Sequence, residues 1–147
     1  MKARHLFRLF LMSCLLAAAA FDATAQDRNY NPGPVTDVTF VKVKPGKFNE
    51  YMHYLAGSYR DVMEANKKAG LIVAWAIYGN QARDPHDADL ILTVTYPNLA
   101  TSEKIEAFEE TAAKVFGSQT QQSQKAADRE SLREVLGSQR VRELVFK

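Results

Sequence analysis

The chain has 147 residues, of which 46% are hydrophobic, with 19 basic and 17 acidic residues and a formal net charge of +2. This is the size of one domain, and such a domain can bury a core by packing alone. A single cysteine excludes an intramolecular disulfide, and the near-neutral charge gives no electrostatic case for a nucleic-acid partner.

The first 25 residues have the three parts of a secretory signal peptide. A basic start at residues 2–8 precedes an apolar run over residues 9–20, and residues 23–25 (Ala-Thr-Ala) form a small-residue cleavage site. The run is too short for a stable membrane anchor, which needs about 20 apolar residues. Lipidation at Cys14 is disfavoured because the apolar run continues past it. We therefore expect cleavage after Ala25 and a periplasmic or secreted mature protein.

The mature chain is predicted to begin with a flexible lead-in at residues 26–34, followed by a single α+β domain at residues 35–147. Val35 to Val43 is rich in β-branched residues, which predicts a strand. From Phe48 to Ala69 apolar residues recur at spacings of three and four, which predicts a helix that ends at Gly70.

The next segment is continuously apolar from Leu71 to Tyr78, a pattern that predicts a strand buried on both faces. A polar turn over residues 79–87 leads to a second strand from Leu90 to Tyr96. Because the connection is short and rich in turn residues, the two strands are predicted to form a hairpin.

The last third is predicted to hold two helices and a strand. Thr101 is the expected N-cap of a helix over residues 102–116. Residues 118–124 indicate a loop or frayed helix, residues 125–136 a third helix, and residues 141–146 the final strand.

The predicted order is β-α-β-β-α-(α)-β, the ferredoxin-like arrangement, in which helices cover one face of a four-stranded antiparallel sheet. No predicted element remains to cover the other face of that sheet. We therefore expect a homodimer in which a second subunit covers it.

The segment Val43-Lys44-Pro45-Gly46-Lys47-Phe48, the long helix ending at Gly70 and the apolar strand with Trp75 resemble the dimeric α+β barrel superfamily. Its members include antibiotic-biosynthesis-type monooxygenases, NIPSNAP-type domains and haem-degrading monooxygenases. The resemblance covers roughly residues 36–146 as topology. It implies the fold and dimerisation, whereas activity depends on individual site residues.

The haem-degrading members resemble one another in an Asn on the first strand, a Trp on a later strand and a His on the second helix. Only Trp75 matches in residue type, so we expect no haem and no other cofactor. His53 is predicted on the polar side of its helix. We read Asp84, His86, Asp87 and Asp89 as an exposed turn, and no metal site is predicted.

Aromatic residues are the main candidates for a binding site. Together with Asn66 on the apolar stripe of the first helix, they could line a pocket for a small apolar molecule, or they could fill the core and the dimer interface. Asn66, Asp128 and Arg129 could each point a polar group into a cavity, and the favoured alternative is a position at a helix end or rim. The candidate ligand-binding residues are Tyr51, Tyr59, Asn66, Trp75, Tyr78 and Tyr96.

Two classes of function remain open at this point. One is a binding or interaction module for a small apolar ligand. The other is a cofactor-independent monooxygenase or isomerase acting on an aromatic or polyketide-like substrate. An enzyme would need a titratable group on a buried face, and the sequence offers no convincing base there, which favours the binding module.

Overall fold

A computed structural model describes residues 28–147, so the predicted signal peptide and Cys14 lie outside the described residues. The strands are β1 (Tyr30–Val43), β2 (Ala74–Gly79), β3 (Leu90–Tyr96) and β4 (Arg133–Phe146). The helices are α1 (Phe48–Tyr54), α2 (Arg60–Lys68), α3 (Leu99–Ser102), α4 (Ile105–Phe116) and α5 (Gln119–Leu132). A π turn, Leu55–Tyr59, joins α1 to α2, and we call these three segments the long helix.

The four strands form one antiparallel sheet in the order β2-β3-β1-β4. Together with the order of the helices, this arrangement confirms the predicted ferredoxin-like α+β fold. Within residues 28–147, no helix is both long and apolar enough to cross a membrane.

The main core lies between the sheet and the long helix. Alternate residues of a strand face the same side, so the buried positions of β1 and β3 project towards the helices. Leu132, at the end of α5, closes one end of this core. Its buried members are Val41, Val43, Tyr51, Leu55, Leu90, Leu92 and Leu132.

The opposite side of the sheet, which we call the open sheet face, carries the other set of alternating residues. Val38 and Phe40 of β1 and Ile91 of β3 are half-buried there. Tyr78 of β2 and Val141 of β4 are 55% and 46% exposed. This face is apolar near its centre, and the helix-facing core does not include it.

The predicted flexible lead-in is partly wrong, because β1 already begins at Tyr30. Tyr30, Asn31 and Pro32 pair with β4, and the register shifts between Pro32 and Val35. A proline in a central strand would remove a ladder hydrogen bond. Here β3 ends opposite Val35, so this part of β1 pairs on one side only and tolerates the prolines.

The apolar run from Leu71 to Tyr78 does not form one doubly buried strand. Leu71 and Ile72 are buried in the connection after the long helix, whereas β2 begins at Ala74 and lies at the edge of the sheet. Val73 is 46% exposed. The run therefore combines a buried connection with an edge strand, and the hairpin of β2 and β3 is confirmed.

Three boundaries in the last third differ from the prediction. Asn98, rather than Thr101, caps α3, because its Oδ1 accepts from the Thr101 N–H at 2.9 Å. Ser118 caps α5, so of the two structures predicted for residues 118–124, a loop or a frayed helix, the helix is the one that forms. The chain becomes extended at Arg133, and β4 continues through Gly137 with a register shift instead of breaking there.

Candidate functional site

A cleft of about 380 Å³ lies between the long helix, α4 and α5; we call it the helix cleft. Apolar residues of α4 recur at spacings of three and four and face α2 across it. The volume falls within the range of small-molecule sites. The apolar lining consists of Val62, Met63, Ile105, Phe108, Ala112 and Phe116. The polar and amphipathic lining consists of Tyr54, Tyr59, Asn66, Glu109, Gln122, Lys125 and Arg129, and Ala126 completes the wall.

Asn66 is the buried polar residue of this cleft. The residue is 3% exposed, and its Oδ1 has no hydrogen-bond partner in the described part of the chain. Its backbone carbonyl accepts from the Leu71 N–H at 3.0 Å, which fixes the end of the long helix. The side chain thus leaves a buried acceptor without a partner at the cleft wall, so Asn66 lies in the pocket and not at the rim.

The π turn explains why Tyr54 and Tyr59 line the same cleft although they are five residues apart. In a regular α-helix that separation would place them roughly 140° apart. In the π turn the Arg60 N–H reaches back to the Leu55 carbonyl, an i→i+5 bond that widens the helix by one residue. Residues five apart then share a face, and both rings reach the cleft.

Tyr59 connects the cleft to the sheet. Its ring meets Trp75 edge-on, with centroids 5.9 Å apart and an interplanar angle of 81°. Burial raises the pKa of Tyr59 well above its usual value, so the hydroxyl stays protonated at neutral pH. It can donate or accept a hydrogen bond, but it is a poor general base.

Two arginines at the end of α5 share one carboxylate. Arg129 Nε and Arg133 Nη2 both lie 3.4 Å from Glu130 Oε1. The Nε atoms of both arginines are buried and make no hydrogen bond within the described residues. Arg129 lines the cleft, whereas Arg133 donates to the Tyr51 hydroxyl at 3.2 Å.

Of the six predicted ligand-binding residues, Tyr59 and Asn66 line the helix cleft. Tyr51 is fully buried in the main core, where it stacks on Tyr54 with centroids 6.0 Å apart. Burial raises the pKa of Tyr51. The Tyr51 side chain therefore supports the wall of the cleft from behind.

Three other predicted residues lie outside the cleft. Trp75 is half-buried on the helix side of the edge strand, and its Nε1 donates to Glu64 Oε1 at 2.8 Å. Tyr78 lies on the open sheet face. Tyr96 packs edge-on against Phe108 with centroids 5.8 Å apart, so it backs the cleft wall without lining it. Trp75 and Tyr78 belong to an edge strand, whereas the sequence predicts a strand buried on both faces.

Beside Tyr96, β1 and β4 are joined by an ion pair. Arg140 Nε and Nη2 lie 2.6 Å and 2.9 Å from the two carboxylate oxygens of Asp37. Arg140 lowers the pKa of Asp37, whereas burial and the nearby Asp37 charge raise the pKa of Tyr96 to about 12. Because these groups satisfy one another, the cluster serves sheet structure and offers no free binding group.

The histidines and the acidic turn match their predicted structural roles. His53 is exposed on the long helix. Asp87 Oδ2 accepts from the Arg83 and Asp84 N–H groups at 2.9 Å and 3.2 Å, which shapes the turn. Asp89 accepts from Lys42 Nζ at 2.9 Å and from the Val43 N–H at 2.8 Å. Among residues 28–147, no cluster of three or more metal-ligating side chains occurs.

Sequence reasoning missed most of the cleft wall on α4 and α5. The sequence predicts a helix over residues 102–116 without assigning Phe108 or Phe116 to a pocket, and it favours a rim position for Arg129. One signal was present: Asn66 is polar on an apolar stripe and lies one turn beyond Val62 and Met63. A polar residue on that stripe indicates a pocket, and the apolar residues of α4 are then the expected opposite wall.

Comparisons with solved structures agree with the fold. The chain is similar to HapK from Hahella chejuensis (9% identity, TM-score 0.51, covering 74% of this chain and 91% of that one). Less similar are a dimeric ferredoxin-like protein from an uncultured marine organism (9%, TM-score 0.47, 80% and 90%) and a putative antibiotic biosynthesis monooxygenase from Chloroflexus aurantiacus (12%, TM-score 0.41, 74% and 90%).

No protein-family model matches the chain, and no curated protein sequence matches it. At these identities the structural likeness shows the fold alone. The chain has a ferredoxin-like α+β fold, which is the fold that the predicted resemblance implies.

Proposed function

We propose that this protein is an exported homodimer that binds a small, largely apolar molecule in the helix cleft of each protomer. The observation that carries the proposal is the Asn66 Oδ1 atom, which is buried in the cleft wall with no partner in the described part of the chain. A buried polar atom left unpaired costs about 1–3 kcal/mol, and native proteins rarely leave one. A ligand with a hydroxyl or amide hydrogen would supply the donor when the Asn66 amide turns its oxygen towards the cleft.

The groups around the cleft support binding over catalysis. A general acid or base works best with a pKa near the operating pH. Burial moves the pKa of Tyr59 away from neutrality, and Asn66 does not titrate. Glu109 and Lys125 lie exposed at the mouth of the cleft. These groups can hold and orient a molecule, so the monooxygenase or isomerase alternative is less well supported.

The open sheet face supports the homodimer. Its half-buried residues Val38, Phe40 and Ile91 form a row of apolar side chains across the sheet, and Tyr78 and Val141 extend that row to both edges. A second copy, presenting the same face, would cover all of them at once. Covering contiguous apolar surface is favourable in proportion to its area.

Export rests on the sequence of the first 25 residues. The basic, apolar and small-residue parts occur in the order of a signal peptide. We expect the exported protein to begin near Gln26, which intact-mass measurement would establish. A mass that includes Met1, or a lipid on Cys14, would contradict the assignment.

Titration calorimetry with 1-naphthol tests the binding role. This probe has an apolar body and one hydroxyl donor, and we expect one molecule to bind per protomer. Asn66→Leu should weaken binding roughly fivefold, the loss expected for one hydrogen bond. Asn49→Leu is the matched control, because Asn49 is exposed on the same long helix. Absence of binding to the wild type, or equal binding by Asn66→Leu, would overturn the proposal.

A further inference from the structure

The shared carboxylate at the end of α5 points to the chemistry of the ligand. We propose that the molecule held in the helix cleft carries a carboxylate, and that Arg129 binds it. This inference rests on the proposed binding role of the cleft and adds the chemical class of the ligand.

The local charges at the end of α5 do not balance. Arg129 and Arg133 approach the same oxygen of Glu130, each at 3.4 Å. The Glu130 side chain is 57% exposed, whereas those of Arg129 and Arg133 are 32% and 11% exposed. Buried or half-buried cations need a partner, and one solvated carboxylate at ion-pair distance is a weak partner for two of them.

Arg133 already has other contacts, which leaves Arg129 to meet a ligand. The Arg133 guanidinium donates to the Tyr51 hydroxyl and lies over the Tyr51 ring, 5.9 Å from its centroid. Arg133 does not line the helix cleft, whereas Arg129 does. The buried Arg129 Nε lies against Glu130 Oε1 without a hydrogen bond, and the terminal amino groups of Arg129 make no hydrogen bond with any residue from 28 to 147, so these terminal groups are the donors that remain for a ligand.

The other charges of the cleft do not replace a ligand carboxylate. Glu109 and Lys125 are both exposed at the mouth, where opposite charges offset one another and water screens them. A guanidinium binds a carboxylate through two parallel hydrogen bonds, and such charge-assisted bonds are about twice as strong as neutral ones. A carboxylate is therefore the group that Arg129 would select.

The rest of the cleft defines the body of such a ligand. Phe108 and Phe116 on α4 and Met63 on α2 supply an apolar wall, and Asn66 Oδ1 offers one acceptor. The arrangement fits a compact apolar or aromatic acid that also carries one hydrogen-bond donor.

Paired probes of one shape test the inference. Calorimetry at neutral pH compares 1-naphthoate with neutral 1-naphthamide, and we expect naphthoate to bind at least about tenfold more tightly. Arg129→Met keeps the apolar stem and should abolish this preference while leaving naphthamide binding within about twofold. Arg129→Gln provides a second charge-free variant should the first fold poorly.

A control variant separates Arg129 from general electrostatics. Arg60→Met removes an exposed cation outside the cleft and should keep the preference for naphthoate. If naphthamide binds and naphthoate binds no more tightly, or if the preference survives in both Arg129 variants, the carboxylate assignment is wrong and the binding role stands. If 1-naphthol does not bind the wild type, the binding role is overturned and the carboxylate assignment falls with it.

Discussion

Replacing Asn66 by leucine should stabilise the protein, although most substitutions of buried residues destabilise. The side chain is 3% exposed, and its Oδ1 lacks a partner within residues 28–147. Desolvating an unpaired amide costs about 1–3 kcal/mol, and an apolar replacement of similar shape avoids that penalty. Leucine has the same number of side-chain heavy atoms as asparagine, and the helix cleft gives its slightly bulkier methyl groups room, so overpacking should not offset the gain.

The expected gain for Asn66→Leu is about 1–3 kcal/mol in the free energy of unfolding, or several degrees in Tm. Urea denaturation followed by circular dichroism measures it. Leucine also has a better helix propensity than asparagine, and the exposed Asn49→Leu variant measures that contribution separately. The reasoning is refuted if Asn66→Leu, after this correction, is no more stable than the wild type. A confirmed gain, together with weaker binding, would mean that the chain retains a destabilising residue for function.

Three further predictions concern the sheet. Val38→Glu on the open sheet face should give monomers by sedimentation velocity at micromolar concentration, while Ala127→Glu on the exposed side of α5 should not; a dimeric Val38→Glu protein would exclude this interface. The pKa of Asp37 is lowered by Arg140, so its contribution is present above about pH 4 and lost as the pH falls through the lower folded value; Asp37→Asn should make the acid limb of the stability curve shallower, and an unchanged limb would contradict this. Trp75→Phe should cost only about 0.5–1.5 kcal/mol in chemical denaturation, because the ring is half-buried and loses one exposed hydrogen bond; a larger loss would indicate a buried structural role.

The fold was largely predictable because the strands and helices carry strong periodic patterns. β3 has the predicted bounds, Leu90 to Tyr96, and Gly117 ends α4 in the left-handed conformation that favours glycine. The errors fall where local patterns mislead. Gly137 resembles a break, yet pairing with Phe40 holds it in β4. The glutamine-rich start of α5 lacks apolar periodicity, and its cap at Ser118 is visible only in the structure.

The candidate site was less predictable because it depends on which helices face one another. The sequence places Tyr51 and Tyr59 on one stripe, but the structure sends Tyr51 into the main core and Tyr59 into the helix cleft. The spacings of three and four continue through residues 55–59, so the sequence pattern does not reveal the π turn there. That turn is what places Tyr51 and Tyr59 in different environments. Arg129 is a candidate ligand-binding residue because it shares the Glu130 carboxylate with Arg133, and the sequence alone does not show that sharing.

The π turn at Leu55–Tyr59 also affects how this chain can be compared with relatives or redesigned. A π turn amounts to one residue inserted into an α-helix, so a homologue with a regular helix would align only if a one-residue gap is opened there. Deleting Gly57 would remove the extra residue and restore a regular helix, while α2 would keep its orientation relative to α1. Tyr54, Tyr59 and Asn66 would stay on one face, because residues five apart across the π turn become four apart in the regular helix. A single-residue deletion could thus remove the π turn and leave the lining of the cleft in place.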